Sequence, residues 1–131
     1  MFDITVTTQF SAAHQIPGYP GACARLHGHN WKIEVTIRAL TLDHLGMALD
    51  YHQAEQMLFP IISELDHTNL NDHPFFSDRT TTSENVAFFI HSRMKQALGN
   101  DLQAKNRKLS LMAVTVYETD IYRTTYRETD G

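Results

Sequence analysis

Cys23-Ala24-Arg25-Leu26-His27-Gly28-His29-Asn30-Trp31-Lys32-Ile33-Glu34-Val35-Thr36-Ile37-Arg38-Ala39-Leu40 is the stretch that decides the fold. Its odd positions from 27 onward carry His27, His29, Trp31, Ile33, Val35, Ile37 and Ala39, and its even positions are mostly polar. Strict alternation means a half-buried β-strand, here over about 28–40, with both imidazoles on the apolar face. The N-terminal segment has the complementary pattern. Phe2, Ile4, Val6, Phe10, Ala12 and His14 share its even positions, which predicts a strand over about 2–13. If the two strands are neighbours, the end of the first lies beside the start of the second, and His14, His27 and His29 converge. A histidine at a strand end is by itself an ordinary surface residue, so it is the shared parity that makes a set of these three. Three neutral imidazoles with an open fourth position are the ligand set of a catalytic zinc.

Bulk properties restrict the class. The chain of 131 residues fits one domain over 1–131, and 42% hydrophobic with 20% charged residues is ordinary for a soluble globular protein. A formal net charge of −4 without a basic stripe argues against a nucleic-acid partner. No apolar run reaches the length of a membrane span, and the N-terminus reads as a strand, not as a secretory signal. The single cysteine rules out an internal disulfide and fits a reducing, cytoplasmic compartment.

Between the two strands, Pro17, Gly18, Pro20 and Gly21 mark a long loop that carries Cys23. Asp50 reads as a helix N-cap with Gln53 as reciprocal partner, followed by Ala54, Met57, Leu58, Ile61, Ile62 and Leu65 at helical spacing. Pro60 inside this pattern predicts a kink or a division, and the helix ends near Asp66-His67. Residues 69–79 read as a loop. Thr81 or Thr82 caps a second helix, with Glu84 placed for a capping box, and Gly99-Asn100 ends it. A polar stretch leads to two strands, about 109–118 and 121–127. The expectation is an α+β fold of order ββααββ, a four-stranded antiparallel sheet with two helices on one face. Leu109, Leu111 and Ala113 alternate with Met112, Val114 and Val116, so the third strand reads as apolar on both faces. That predicts a partner subunit over the face the helices leave open. Met57, Met94 and Met112 read as core, and His44, His52, His73 and His91 have no motif around them.

Six segments carry a family resemblance: Phe10-Ser11-Ala12-Ala13-His14, Cys23 through His29, Gly46-Met47 with Asp50-Tyr51, Leu65-Asp66-His67 with Leu70-Asn71, Thr82-Ser83-Glu84-Asn85, and Tyr117-Glu118-Thr119. In this order, over nearly the whole chain, they resemble the 6-pyruvoyl-tetrahydropterin synthase family. The resemblance implies a tunnelling fold (T-fold), in which sheets join into a trimeric barrel and two trimers stack into a homohexamer with active sites between subunits. It implies a zinc ion on His14, His27 and His29. It makes Cys23, Asp66 and His67 the proton-transfer group, Glu118 the carboxylate that anchors the pterin ring, and Thr82 and Ser83 the helix start beside it. The implied substrate is 7,8-dihydroneopterin triphosphate.

The chemistry is consistent with these roles. A metal with an open position acidifies a C–H bond beside the hydroxyls it holds. A thiolate can take that proton, and an imidazole steadied by a carboxylate can return one. A carboxylate accepts two parallel hydrogen bonds from the amide and amino edge of a pterin. From the residues alone, Asp66 and His67 also fit a helix terminus, Glu118 an exposed strand end and Cys23 an inert loop thiol.

Three residues separate Cys23 from His27. That compact gap is similar to the queuosine branch of the family, which forms 6-carboxy-5,6,7,8-tetrahydropterin, acetaldehyde and triphosphate, whereas the 6-pyruvoyl branch has a longer gap. Formation of 6-pyruvoyl-tetrahydropterin, side-chain cleavage of a related pterin, or a pterin- or metal-binding module without catalysis stay open. Arg25, Arg79 and Lys108 are equal candidates to hold the triphosphate.

Overall fold

Alternation of apolar and polar residues builds β1 (Phe2–His14) and β2 (His27–Ala39) into a long antiparallel pair in the computed structural model, which describes residues 1–129. The register sets His14 against His27, Phe10 against Trp31 and Val6 against Val35. Even positions of β1 therefore share a face with odd positions of β2. Val6, Phe10, Ala12, Trp31, Ile33, Val35 and Ile37 are buried on it. Phe10 and Trp31 stack with ring centroids 5.8 Å apart. Each large apolar side chain so buried is worth about 1.5–3 kcal/mol, which fixes the register, because a one-residue slip would turn the whole set to solvent.

Two helices cover this face. From α1 (Tyr51–Leu65) come Ala54, Leu58, Ile61, Ile62 and Leu65, and from α2 (Ser83–Asn100) come Val86, Phe89, Ile90, Met94 and Leu98. Asp50 caps α1 by accepting from the His52 N–H at 2.9 Å. Gln53 does not close a reciprocal cap; its amide donates to Asp101 at 3.1 Å and ties the start of α1 to the end of α2. Pro60 does not divide α1. It and Gln56, whose carbonyl loses its helical donor, are both exposed, so the free carbonyl is not left in an apolar interior. Thr82 caps α2, accepting from the Asn85 N–H at 3.3 Å. Glu84 therefore forms no capping box; it accepts instead from the Thr124 hydroxyl at 3.1 Å.

The sheet has five strands in the order β3-β1-β2-β4-β5 and is mixed, not the four-stranded antiparallel sheet expected. The extra strand, β3 (Thr68–Asn69), runs parallel to β1 at Ala12 and Ala13. Two residues carry no periodicity, so no pattern announces it. His67, at φ 58°, turns the chain out of α1, and its N–H meets the Ser11 carbonyl at 2.6 Å. A third helix, α3 (Leu102–Arg107), is also unannounced. α2 runs to Asn100, the stop expected at Gly99-Asn100, and Asp101 both ends α2 and caps α3 through the Ala104 N–H at 2.9 Å. The left-handed stop falls at Lys108, φ 55°. The loop over 69–79 includes two 3-10 turns, Leu70–Asp72 and Pro74–Phe76.

A bulge corrects the reading of the last hairpin, β4 (Ser110–Thr119) and β5 (Tyr122–Tyr126). In the β2–β4 ladder, Thr36 pairs with Ala113 and Ile37 with Leu111, so Met112 is the extra residue. An extra residue reverses the side-chain parity beyond it. Leu109 and Leu111 thus join Val114 and Val116 on the helix side and pack on the core. Met112 is half-buried at the bulge, while Met94 is core and Met57 packs against it. The strand is not apolar on both faces. The open face is polar: Thr5 bonds Thr36 at 3.0 Å, Arg38 holds Asp3 at 2.7 and 2.9 Å, Thr115 bonds Thr125 at 2.7 Å, and the Lys32 ammonium lies over Tyr117. No apolar surface there demands a cover. Among the described residues, no helix is long and apolar enough to cross a membrane.

Candidate functional site

The β1–β2 register brings three imidazoles together. His14 lies opposite His27, and His29 lies opposite Ala12, one step along the same face. Ring centroids are 4.6 Å apart for His14 and His27, 4.8 Å for His27 and His29, and 5.2 Å for His14 and His29. Trp31 closes the inner side, its ring edge-on to His14 and His29. From the end of β4 comes a fourth group. The β4–β5 register slips between Tyr117 and Thr119, leaving Glu118 without a partner in β5. One Glu118 oxygen lies 3.1 Å from Nε2 of His29, and the other accepts from the Ser83 hydroxyl at 3.1 Å. Ser83 is the first residue of α2, and the positive end of that helix favours a carboxylate.

The ring nitrogens are sorted. Nδ1 of His14 donates to the Thr81 carbonyl at 2.8 Å, and Nδ1 of His27 to the Arg25 carbonyl at 2.7 Å. Each bond leaves Nε2 with a lone pair. Nε2 of His14 and of His29 are buried without a hydrogen-bond partner, since the Glu118 contact lacks hydrogen-bond geometry. Burial pushes both imidazoles below the usual histidine pKa, against the pull of Glu118 towards the charged form. They are held neutral, the form that binds metal.

One donor atom from each of His14, His27, His29 and Glu118 lies within 4.8 Å of the others. Orphaned, buried, neutral nitrogens facing one point fit a divalent ion. A set of three nitrogens and one oxygen suits a borderline ion of the zinc type better than magnesium or calcium, which prefer all-oxygen shells.

The other expected site residues are placed apart. Thr82 caps α2 next to Ser83. Cys23 sits half-buried in a 3-10 turn, Ala22–Ala24, with its carbonyl held by the Ile16 N–H at 2.7 Å, and it is outside the four-group cluster. Asp66 and His67 form a pair, Nδ1 to Oδ1 at 3.0 Å, along the edge of β1. The Ser11 N–H, at 2.9 Å, holds the Asp66 carboxyl below the usual carboxylate range, and His67 acts in the same direction. The His67 side chain is 82% exposed and outside the cluster.

Among the triphosphate candidates, Lys108 precedes the start of β4, and Ser110 to Glu118 spans roughly 26 Å of strand. It is remote from the cluster. Arg79 lies over the Phe75 and Phe88 rings. Arg25 supplies the carbonyl that holds His27. The sequence did not point to the Thr81 carbonyl or to Asn71, which fastens the chain beside His14. A backbone carbonyl has no residue signature, and Asn71 stood only as a motif letter.

Comparison with known proteins shows the family. The sequence profile of the family described as 6-pyruvoyl tetrahydropterin synthase matches residues 3–129. The chain belongs to the 6-pyruvoyl tetrahydropterin synthase family. A 6-carboxy-5,6,7,8-tetrahydropterin synthase of Bacillus subtilis is 32% identical over 135 residues, 99% of this chain and 88% of that protein. The human 6-pyruvoyl tetrahydrobiopterin synthase is 35% identical over 96 residues, 72% of this chain and 61% of that protein. The structure of Caenorhabditis elegans 6-pyruvoyl tetrahydropterin synthase superposes with a TM-score of 0.85 at 27% identity, covering 98% of this chain and 96% of that one. Membership makes the chain a pterin-synthase-type enzyme of the α+β tunnelling fold, acting on small pterin molecules.

Proposed function

We propose that the chain is a zinc enzyme that converts 7,8-dihydroneopterin triphosphate and water to 6-carboxy-5,6,7,8-tetrahydropterin, acetaldehyde and triphosphate, the lyase step of queuosine biosynthesis. The observation that carries the reading is the convergence of His14, His27 and His29, with two orphaned Nε2 atoms, beside the carboxylate of Glu118. His14, His27 and His29 hold the zinc. When bound, the ion supplies a Lewis acid for the side-chain hydroxyls of the substrate.

The residues divide the remaining work. Glu118, fixed by the Ser83 hydroxyl, receives the amide and amino edge of the pterin. Thr82 and Ser83 set the floor there as the first turn of α2. Cys23, as thiolate, takes the side-chain proton. His67, steadied by Asp66, returns one. The Asp66–His67 pair on the edge of β1 is exposed, which accords with active sites that close only between subunits of a homohexamer. The domain spans 1–131, and the single cysteine accords with the cytoplasm.

The choice of product rests on the short Cys23-to-His27 gap and on relatives such as that of Bacillus subtilis. Relatives named for the 6-pyruvoyl product reach similar identity, so formation of 6-pyruvoyl-tetrahydropterin is the second reading. Mass spectrometry of the products from 7,8-dihydroneopterin triphosphate and zinc-loaded protein decides. A 6-carboxy product with acetaldehyde is expected. A 6-pyruvoyl product without acetaldehyde overturns the first reading, and unchanged substrate overturns both.

A further inference from the structure

We propose that Asn71 and Thr81 form a positioning clamp that fixes the His14 imidazole for metal binding, an inference that rests on the zinc reading of the site. His14 is the last residue of β1, and the chain must leave the ladder at Gln15. There the side chain of Asn71 takes over the role of a neighbouring strand. Its Oδ1 accepts from the Gln15 N–H at 2.9 Å, and its Nδ2 donates to the Gln15 carbonyl at 2.9 Å. The Thr81 hydroxyl donates to the same Gln15 carbonyl at 3.1 Å and approaches Asn71 Oδ1 at 3.4 Å. The Thr81 backbone carbonyl, in turn, accepts from Nδ1 of His14 at 2.8 Å.

These contacts close a ring: His14 ring, Thr81 carbonyl, Thr81 hydroxyl, Gln15 carbonyl, and back along one peptide to His14. With Asn71 bound to Gln15 and Thr81, the ring ties together three segments that are distant in sequence, the end of β1, the 3-10 turn at 70–72 and the approach to α2. His14 and Thr81 are each 0% exposed, so water cannot replace a lost bond there. The Nδ1 bond fixes the tautomer, and the ring fixes the direction of Nε2, the orphaned atom that faces His27, His29 and Glu118. Without the Thr81 hydroxyl, its carbonyl is no longer tied to the residue that follows His14, and the imidazole gains freedom. Outer contacts of this kind are typically worth about 10- to 100-fold in metal affinity.

The test uses the full chain freed of metal. Wild type, Thr81→Val, Thr81→Ser and Asn71→Asp are titrated with zinc against a chromogenic chelator and with cobalt, followed by its d–d absorption. The unfolding midpoint of each is taken without metal. Valine keeps the shape and removes the hydroxyl; serine keeps the hydroxyl. Aspartate keeps the acceptor for the Gln15 N–H and turns the donor towards the Gln15 carbonyl into an acceptor. The expected result is zinc binding at least about 10-fold weaker in Thr81→Val, with an altered cobalt spectrum, and affinity near wild type in Thr81→Ser. Equal zinc affinity in wild type and folded Thr81→Val overturns the clamp. If Thr81→Val does not fold, Asn71→Asp takes its place under the same criterion. Absence of zinc binding by wild type overturns the metal reading itself, a result distinct from failure of the clamp alone.

Discussion

Oε1 of Glu118 lies 3.1 Å from Nε2 of His29, without hydrogen-bond geometry between them. The same carboxylate thus borders the metal cluster and holds the start of α2 through Ser83. In the proposed division of roles its charge serves a pterin edge, and the three imidazoles hold the ion. Glu118→Gln is expected to retain one zinc per chain and to raise the KM for the pterin substrate. A charge-assisted hydrogen bond is worth about 1.5–3 kcal/mol, so the rise is on the order of 10- to 100-fold. Zinc content by elemental analysis beside KM checks this, and loss of zinc at unchanged KM would make Glu118 a metal ligand only.

Cys23 is half-buried, off the metal cluster, on a loop held by backbone hydrogen bonds, among them that of its own carbonyl to the Ile16 N–H. Removing its thiol should therefore leave fold and metal intact. Cys23→Ala is expected to lose about 10²- to 10⁴-fold in kcat, the usual reach of general acid–base catalysis, with zinc content and pterin affinity within about twofold of wild type. Single-turnover assays with equilibrium pterin binding measure both. Unchanged turnover would return Cys23 to an inert loop thiol.

The positions of the three histidines were legible because strand parity is strict. Even residues of β1 and odd residues of β2 share a face only in an odd-sum register, and His14 against His27 satisfies it. What escaped was short or parity-breaking. Thr68–Asn69 is too brief for a period, and Met112 inserts one residue and transfers Leu109 and Leu111 to the core side. The second helix stops at Asn100 as expected, but Asp101 also caps a third helix, which no pattern announced. In the site, Glu118 and Ser83 were legible through the family motifs, but their mutual bond and the Thr81 carbonyl on His14 depend on tertiary placement alone.

His91 gives the pH dependence a sign. It is buried in α2 against Tyr126, with Nε2 unpartnered, and burial pushes it below the ordinary histidine value of 6.5. The unfolded chain therefore binds a proton more readily than the folded one between those two values. Its contribution to stability is full above about 6.5 and is lost as pH falls towards the depressed folded value. The metal-free protein is expected to melt at progressively lower temperature on titration below pH 6.5. His91→Gln should flatten part of that slope, whatever its effect at pH 8. Calorimetric melts of both across this range check it, and identical slopes would show that His91 does not titrate on unfolding.

Cys23 and the Asp66–His67 pair lie on different segments, the loop before β2 and the turn between α1 and β3, and a site shared by two subunits would draw on one from each. The thiol lies on the loop leading into β2, whereas the exposed pair follows α1 and leads into β3, the edge strand beside β1. If one active site draws Cys23 from one subunit and His67 from the next, two inactive variants can repair each other. Cys23→Ala and His67→Ala, each inactive alone, are unfolded together and reassembled in equal amounts. Random assembly puts an intact Cys23 beside an intact His67 at about a quarter of the interfaces, so about a quarter of wild-type activity is expected to return. Assay of the mixture before and after reassembly measures this. No recovery, with oligomers of normal size, would mean that both groups act within one chain and that the loop carrying Cys23 folds over to reach its own His67.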